Sequence, residues 1–152
     1  DKQVKVHRVA DGQMVTTLQG HTGHVLGVSF SGDGKLLATC GGDRVVKLWD
    51  VRSGRQIRSM VGTMYRIGRY RQEVTAVQFV GDSEQILAAS GDGTVRLHRT
   101  TKEKEFHVYD NASTWLYSAA VSADGRAVIA GGADGVLRLW SGRDRSPQAT
   151  FP

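Results

Sequence analysis

Short runs of apolar or alternating residues, each broken by Gly, Asp or Ser, recur along the whole chain. The first complete set covers Val25 to Phe30, Leu36 to Thr39, Val45 to Trp49 and Gln56 to Met60. A second set covers Val74 to Phe79, Gln85 to Ala89, Val95 to Arg99 and Glu105 to Tyr109. A third covers Leu116 to Val121, Ala127 to Ala130, Val136 to Trp140 and Gln148 to Phe151. The opening stretch supplies only two runs, Val4 to His7 and Met14 to Leu18. Runs of this length with turn residues between them predict β-strands, and no segment sustains a helical period with capping residues. The fold class is therefore all-β.

The sets are copies of one another. Ser31-Gly32-Asp33-Gly34-Lys35 returns as Val80-Gly81-Asp82-Ser83-Glu84 and as Ser122-Ala123-Asp124-Gly125-Arg126, at offsets of 49 and 42 residues. A second marker keeps the same offsets: Gly42-Asp43 before Val46-Lys47-Leu48-Trp49, Gly91-Asp92 before Val95-Arg96-Leu97-His98, and Ala133-Asp134 before Leu137-Arg138-Leu139-Trp140. Carried back by 42 residues, the register places Asp1 where Asp43 stands and His7 where Trp49 stands. A four-stranded unit cannot bury both faces alone, so units with a period near 42 residues acquire a core by stacking on neighbours.

At these residues the chain resembles the WD-repeat family of β-propellers. The first full repeat carries Gly20-His21, Val25, Thr39, Asp43 and Trp49-Asp50 at that family's spacing. The resemblance implies antiparallel blades of four strands: an outer half blade at 1–19, then blades at about 20–61, 62–110 and 111–152, together one partial propeller domain. It also implies a buried hydrogen-bonded tetrad, here His21, Thr39, Asp43 and Trp49. A carboxylate and an imidazole inside a sheet must be paired, because an unsatisfied buried polar group costs about 1–3 kcal/mol. The later repeats depart from the pattern. His98 stands at the Trp position of the second and His7 at that of the half blade, Tyr70 and Ala112 replace the His, and Ala88 and Ala130 replace the hydroxyl residue. These blades are expected to rely mainly on apolar packing and strand ladders, and Asp43 is expected to matter more for stability than Asp92 or Asp134.

Closed propellers usually have about four to eight blades, because closure removes exposed sheet edges. Three and a half blades read as the C-terminal portion of a longer propeller of about seven blades. Compact turns such as Ser-Ala-Asp-Gly-Arg resemble those of bacterial WD-repeat proteins, in which such domains can be fused to catalytic or cytochrome-like modules. The missing blades are then one expected partner.

Composition adds three constraints. The 152 residues carry 20 Lys and Arg against 15 Asp and Glu, a net charge of +5 that favours acidic partners. Cys40 is the single cysteine, which excludes an intrachain disulfide and thiolate-rich metal sites. His24, His98 and His107 lack metal-ligand spacing, so neither metal nor cofactor is expected. No apolar run approaches the roughly 20 residues of a membrane-spanning helix. The compartment stays open, with the cytoplasm ahead of the bacterial periplasm, which would require an upstream export signal.

The seven extra residues of the 49-residue interval fall in the loop Gly62 to Gln72, where Tyr65, Arg66, Arg69, Tyr70 and Arg71 interleave aromatic and cationic groups. Such groups fork onto carboxylates and stack on flat surfaces, and Arg and Tyr are enriched at interface hot spots. With Arg44 in the turn after Asp43, these residues are the predicted partner-binding set. The resulting expectation is a non-catalytic scaffold presenting top-face loops to proteins. The alternatives are a regulatory or sensor domain fused to an enzyme or cytochrome-like module, and nucleic-acid binding through the Arg/Tyr loop.

Overall fold

The computed structural model describes the backbone of residues 1–60, 70–109 and 112–152, and their side chains except those of 102–106. Among the described residues fourteen strands form, one for each predicted run. β1 (Gln3–His7) and β2 (Met14–Gln19) make a two-stranded sheet. β3 (Val25–Phe30), β4 (Leu36–Gly41), β5 (Val46–Asp50) and β6 (Gln56–Met60) make the first full sheet. β7 (Val74–Phe79), β8 (Gln85–Ser90), β9 (Val95–Arg99) and β10 (Lys102–Tyr109) make the second. β11 (Leu116–Val121), β12 (Ala127–Gly132), β13 (Leu137–Ser141) and β14 (Pro147–Phe151) make the third. Every pairing is antiparallel and between sequence neighbours, as tight polar turns dictate.

The turns show how small polar residues enforce this order. Ser31 Oγ donates to Asp33 Oδ1 at 2.7 Å and accepts from Leu36 N at 2.9 Å, while Lys35 N donates to the same carboxylate oxygen at 3.1 Å. Ser122 and Asp124 repeat the arrangement in the third sheet. Gly34 and Gly125 supply the left-handed position, both at φ 69°.

Strands β4, β8 and β12 each extend beyond the predicted runs. Gly41, Ser90 and Gly132 still pair with Val25, Val74 and Leu116, across an irregularity that recurs at the same place in all three sheets. A bulge there re-aims the first strand without ending the ladder. The 49-residue interval is accounted for by the connection 61–73 between β6 and β7, against 20–24 and 110–115 at the equivalent places.

The full sheets stack face to face with β3, β7 and β11 adjacent. Side chains cross the joints: Phe79 N donates to Ser29 Oγ at 3.0 Å, Val121 N to Gln78 Oε1 at 3.2 Å, and Thr75 Oγ1 to the Leu116 carbonyl at 2.9 Å. The approach is close enough that a Cβ on Gly27 would meet Cys40 Sγ at 2.9 Å and Val77 N at 3.2 Å.

The core lies in the joints rather than inside any one sheet. Leu48, Met60, Val77, Phe79 and Ile86 fill the joint between the first and second full sheets, and Leu87, Val95, Tyr109, Val128 and Trp140 fill the next. Leu18, Leu37 and Trp49 bind the two-stranded sheet to the first full sheet. Val28 and Phe30 at one end of the stack, and Tyr117, Leu137 and Phe151 at the other, are about half exposed.

Candidate functional site

The four residues of the first repeat's predicted tetrad come together in one chain of hydrogen bonds. His21 arrives from the connection before β3, Thr39 from β4, Asp43 from the turn after β4, and Trp49 from β5. Trp49 Nε1 donates to Thr39 Oγ1 at 2.8 Å, and the same oxygen lies 2.7 Å from His21 Nε2. His21 Nδ1 lies 2.7 Å from Asp43 Oδ2, which also accepts from Thr22 N at 3.0 Å.

Burial lowers the His21 pKa against the opposing pull of Asp43, so the ring is neutral near pH 7. A carboxylate can only accept, so the ring proton sits on Nδ1. Thr39 then donates to Nε2 while accepting from Trp49, and every member of the chain has a role. Of these four side chains only that of Asp43 keeps a buried atom without a partner, Oδ1; Arg58 Nε is the other such atom among the described residues. A hydroxyl, an imidazole and a carboxylate in this order have the composition of a catalytic triad. Thr39 is 0% exposed, however, and a nucleophile must reach its substrate.

The second full sheet holds a different polar core at the same register. Tyr70 takes the place of His21, His98 that of Trp49, Ala88 that of Thr39 and Arg96 that of Lys47. Removal of the bridging hydroxyl at Ala88 leaves a gap that the longer phenol spans, and Tyr70 Oη lies 2.6 Å from His98 Nε2. Arg96 stacks over the Tyr70 ring with its guanidinium carbon 4.1 Å from the centroid. The same guanidinium bonds Asp92 Oδ2 at 3.0 Å and Thr94 Oγ1 at 3.1 Å, with the Arg96 and Asp92 side chains only 5% and 3% exposed. Asp92 also accepts from the backbone N–H groups of Arg71 and Thr94.

This network corrects two expectations. The second repeat is not held by apolar packing alone, because a buried ion pair and a phenol–imidazole bond occupy its tetrad position. Tyr70, predicted as a partner-binding residue, is 2% exposed and turned inward onto His98, so it offers no surface to a partner. The signal for this was present in the sequence: Tyr70 and His98 stand in register with His21 and Trp49. Read as losses from a pattern, they concealed a paired replacement.

In the third sheet Ala112 and Ala130 contribute nothing polar at the equivalent positions. Asp134 instead accepts from both terminal guanidinium nitrogens of Arg138, Nη1 and Nη2, and this pairing holds its carboxyl below the usual range. The Trp140 ring packs against Tyr109 at 6.2 Å between centroids.

Of the other predicted partner-binding residues, Tyr65, Arg66 and Arg69 lie outside the described residues. Arg71 is exposed, and its backbone N–H is tied to Asp92 at 3.0 Å. Arg44 is exposed at the tip of the turn after β4, with φ at 65°. The equivalent positions in the next two sheets are Gly93 and Gly135, at φ 83° and 74°. Glu73 shares this side of the molecule, its carboxylate lying where a Cβ on Gly42 would meet it at 3.2 Å. Among the described residues no cluster of His, Cys, Asp or Glu is placed to hold a metal ion, and no helix is long and apolar enough to cross a membrane.

Comparison with known proteins agrees with the repeat structure. The family model for the WD domain, G-beta repeat, matches residues 12–50, 63–99 and 103–141. Each match begins near the last strand of one sheet and ends with the third strand of the next, so the sequence unit is one strand out of phase with the structural one. Protein tipD of Dictyostelium discoideum is 32% identical over 121 residues, covering 80% of this chain and 18% of that protein. Nuclear distribution protein nudF of Aspergillus niger is 28% identical over 144 residues, covering 92% and 31%. Small ribosomal subunit protein RACK1 of Neurospora crassa is 29% identical over 154 residues, covering 96% and 46%. The chain thus spans less than half the length of each of these relatives. With three repeat matches, each ending on the third strand of one of the three four-stranded sheets, the chain belongs to the WD40 repeat family.

Proposed function

We propose that this chain is a non-catalytic scaffold that binds a protein partner with an acidic surface on the face carrying Arg44 and Arg71. WD40 domains bind proteins generally, and rigid blades of this kind present turns and connections as their variable surface.

The observation that carries the reading is the backbone of Arg44. A side chain at φ 65° is strained by about 1 kcal/mol or more relative to glycine, and the two sister turns use glycine there. Strain kept at one repeat and relieved at the others supports a role for the side chain itself. The +5 charge of the chain supports an acidic partner. Glu73 on the same face interrupts the continuous basic stripe that a nucleic-acid backbone would need, which favours a protein epitope. The relatives' names, a nuclear distribution protein and a small ribosomal subunit protein, belong to those proteins; membership of an assembly is compatible with a scaffold here. The apolar ends of the stack around Phe30 and Phe151 would be covered by further blades of a closed ring.

The test compares affinity capture by the parent protein with capture by Arg44→Gly and by the combined Arg66→Ala, Arg69→Ala, Arg71→Ala variant. Arg44→Gly should raise Tm while weakening capture of an acidic partner at least about ten-fold, as loss of a charged hydrogen-bonding group does. An unchanged set of captured proteins in both variants would overturn the proposal.

A further inference from the structure

On the edge of the blades opposite Arg44, each joint between full blades opens into a cleft. The first, between the first and second full blades, measures about 760 Å³, and the second, between the second and third, about 140 Å³. They are equivalent places: Leu48, Phe79, Arg58 and Thr101 of the first correspond to Leu97, Val121, His107 and Arg143 of the second.

Their charges are opposite. Asp33, Asp82 and Glu84 line the first together with Arg58, whereas the second is lined by Arg143, Arg145 and His107 with no carboxylate among the described residues that line it. Arg145 Nη1 lies 3.2 Å from His107 Nδ1. A guanidinium can only donate, so that ring nitrogen accepts and the ring proton sits on Nε2.

The carboxylates nearest in sequence are engaged elsewhere. Asp144 accepts from Ser146 N at 3.1 Å and Ser146 Oγ at 2.8 Å, and Asp124 from Ser122 Oγ and Arg126 N. Neither Arg143 nor Arg145 forms an ion pair among the described residues. Arg145 moreover occupies a left-handed position, φ 66°, where the equivalent turns place Gly12 and Gly54 at 69° and 67°. The fold thus accepts strain to put a second cation beside the cleft.

We propose that this cleft binds a phosphate-class oxyanion, held by the guanidinium groups of Arg143 and Arg145 with His107 as a further donor. The volume equals that of about five water molecules, room for one tetrahedral anion and little more. Two exposed arginines lining a small polar recess bring there the planar donor fork that suits phosphate recognition. The site is separate from the protein-binding face and stands independently of it.

Inorganic phosphate titrated into the full chain, against chloride at the same ionic strength, tests the proposal by thermal shift and calorimetry. The expected result is a saturable rise in Tm with phosphate alone. Arg143→Gln and Arg145→Gly should each weaken the apparent affinity at least about ten-fold. Arg145→Gly should also raise Tm without phosphate by about 3 °C, because it relieves the turn, so lost binding could not be ascribed to lost folding. Arg52→Gln, at the position equivalent to Arg143 in the first full blade, should leave the response unchanged. Absence of a saturable response, parent-like affinity in Arg145→Gly, or an equal loss in Arg52→Gln would overturn it.

Discussion

Tyr70 Oη lies 2.6 Å from His98 Nε2, in the place where the preceding blade sets His21 and Trp49 on either side of Thr39. The phenol donates and the imidazole accepts, because burial and the neighbouring Arg96 hold the His98 pKa down to about 3 while burial pushes the Tyr70 hydroxyl well above its usual value. Two adjacent blades thus satisfy one structural position with opposite assignments of His.

A pH dependence follows. His98 binds a proton near pH 6.5 in the unfolded chain but only near pH 3 in the fold, so the unfolded state takes up more protons between those values. Stability is full above pH 6.5, falls as pH drops below it, and levels off near pH 3. The slope from this one group is at most about 1.4 kcal/mol per pH unit. His21, whose pKa is also lowered by burial, adds a contribution of the same sign. Urea unfolding at pH 7.0, 5.5 and 4.5 should show the decline. His98→Phe should flatten it while lowering stability at pH 7 by about 1–3 kcal/mol, since Tyr70 loses its acceptor. An unaltered slope in that variant would show that the acid sensitivity arises elsewhere.

The three turn aspartates differ in what their removal exposes. Asp92→Ala removes one carboxylate of a buried ion pair with Arg96 and the acceptor of the Arg71 and Thr94 N–H groups, and breaking a buried pair costs about 3–5 kcal/mol. Asp43→Ala removes the partner of a neutral imidazole and of Thr22 N–H, about 1–3 kcal/mol. Asp134→Ala breaks a partly exposed pair and should cost about 1 kcal/mol or less. The order of stability loss is therefore Asp92, Asp43, Asp134, in place of the first rank for Asp43 expected from the motif. Denaturant midpoints of the three variants, measured side by side at pH 7, decide it.

Cys40 should be inert until the fold opens. Its thiol is fully buried between the first two full blades, and burial, reinforced by the charge of Asp43, pushes its pKa up to about 12. The thiolate is the reactive form, so a maleimide or aromatic disulfide reagent should leave the native protein unlabelled at pH 7 and modify one site in denaturant. Labelling at the same rate in both conditions would contradict the placement.

The sequence by itself determined the strands, their number and their antiparallel order. Alternating apolar runs broken by Ser-x-Asp-Gly turns leave few other ways to bury one face and satisfy the backbone, and the offsets between copies identify equivalent positions without any coordinates. His21, Thr39, Asp43 and Trp49 were legible through the resemblance to the WD-repeat family, whose motif positions they match in the first full repeat.

Only the tertiary structure decided what the non-matching residues do. Tyr70 looks like an exposed aromatic in an Arg-rich loop until packing turns it 2.6 Å from His98, and Arg96 looks like solvated charge until Asp92 closes on it. The strain at Arg44 and Arg145 is likewise invisible in a string of letters, because it depends on the φ that the closing turn imposes. Local patterns encode strands and turns through near-neighbour sterics. Which side chains meet across β4, β5 and the next blade's first strand is set by how the strands pair and the sheets stack, and those contacts span residues 10 to 50 positions apart.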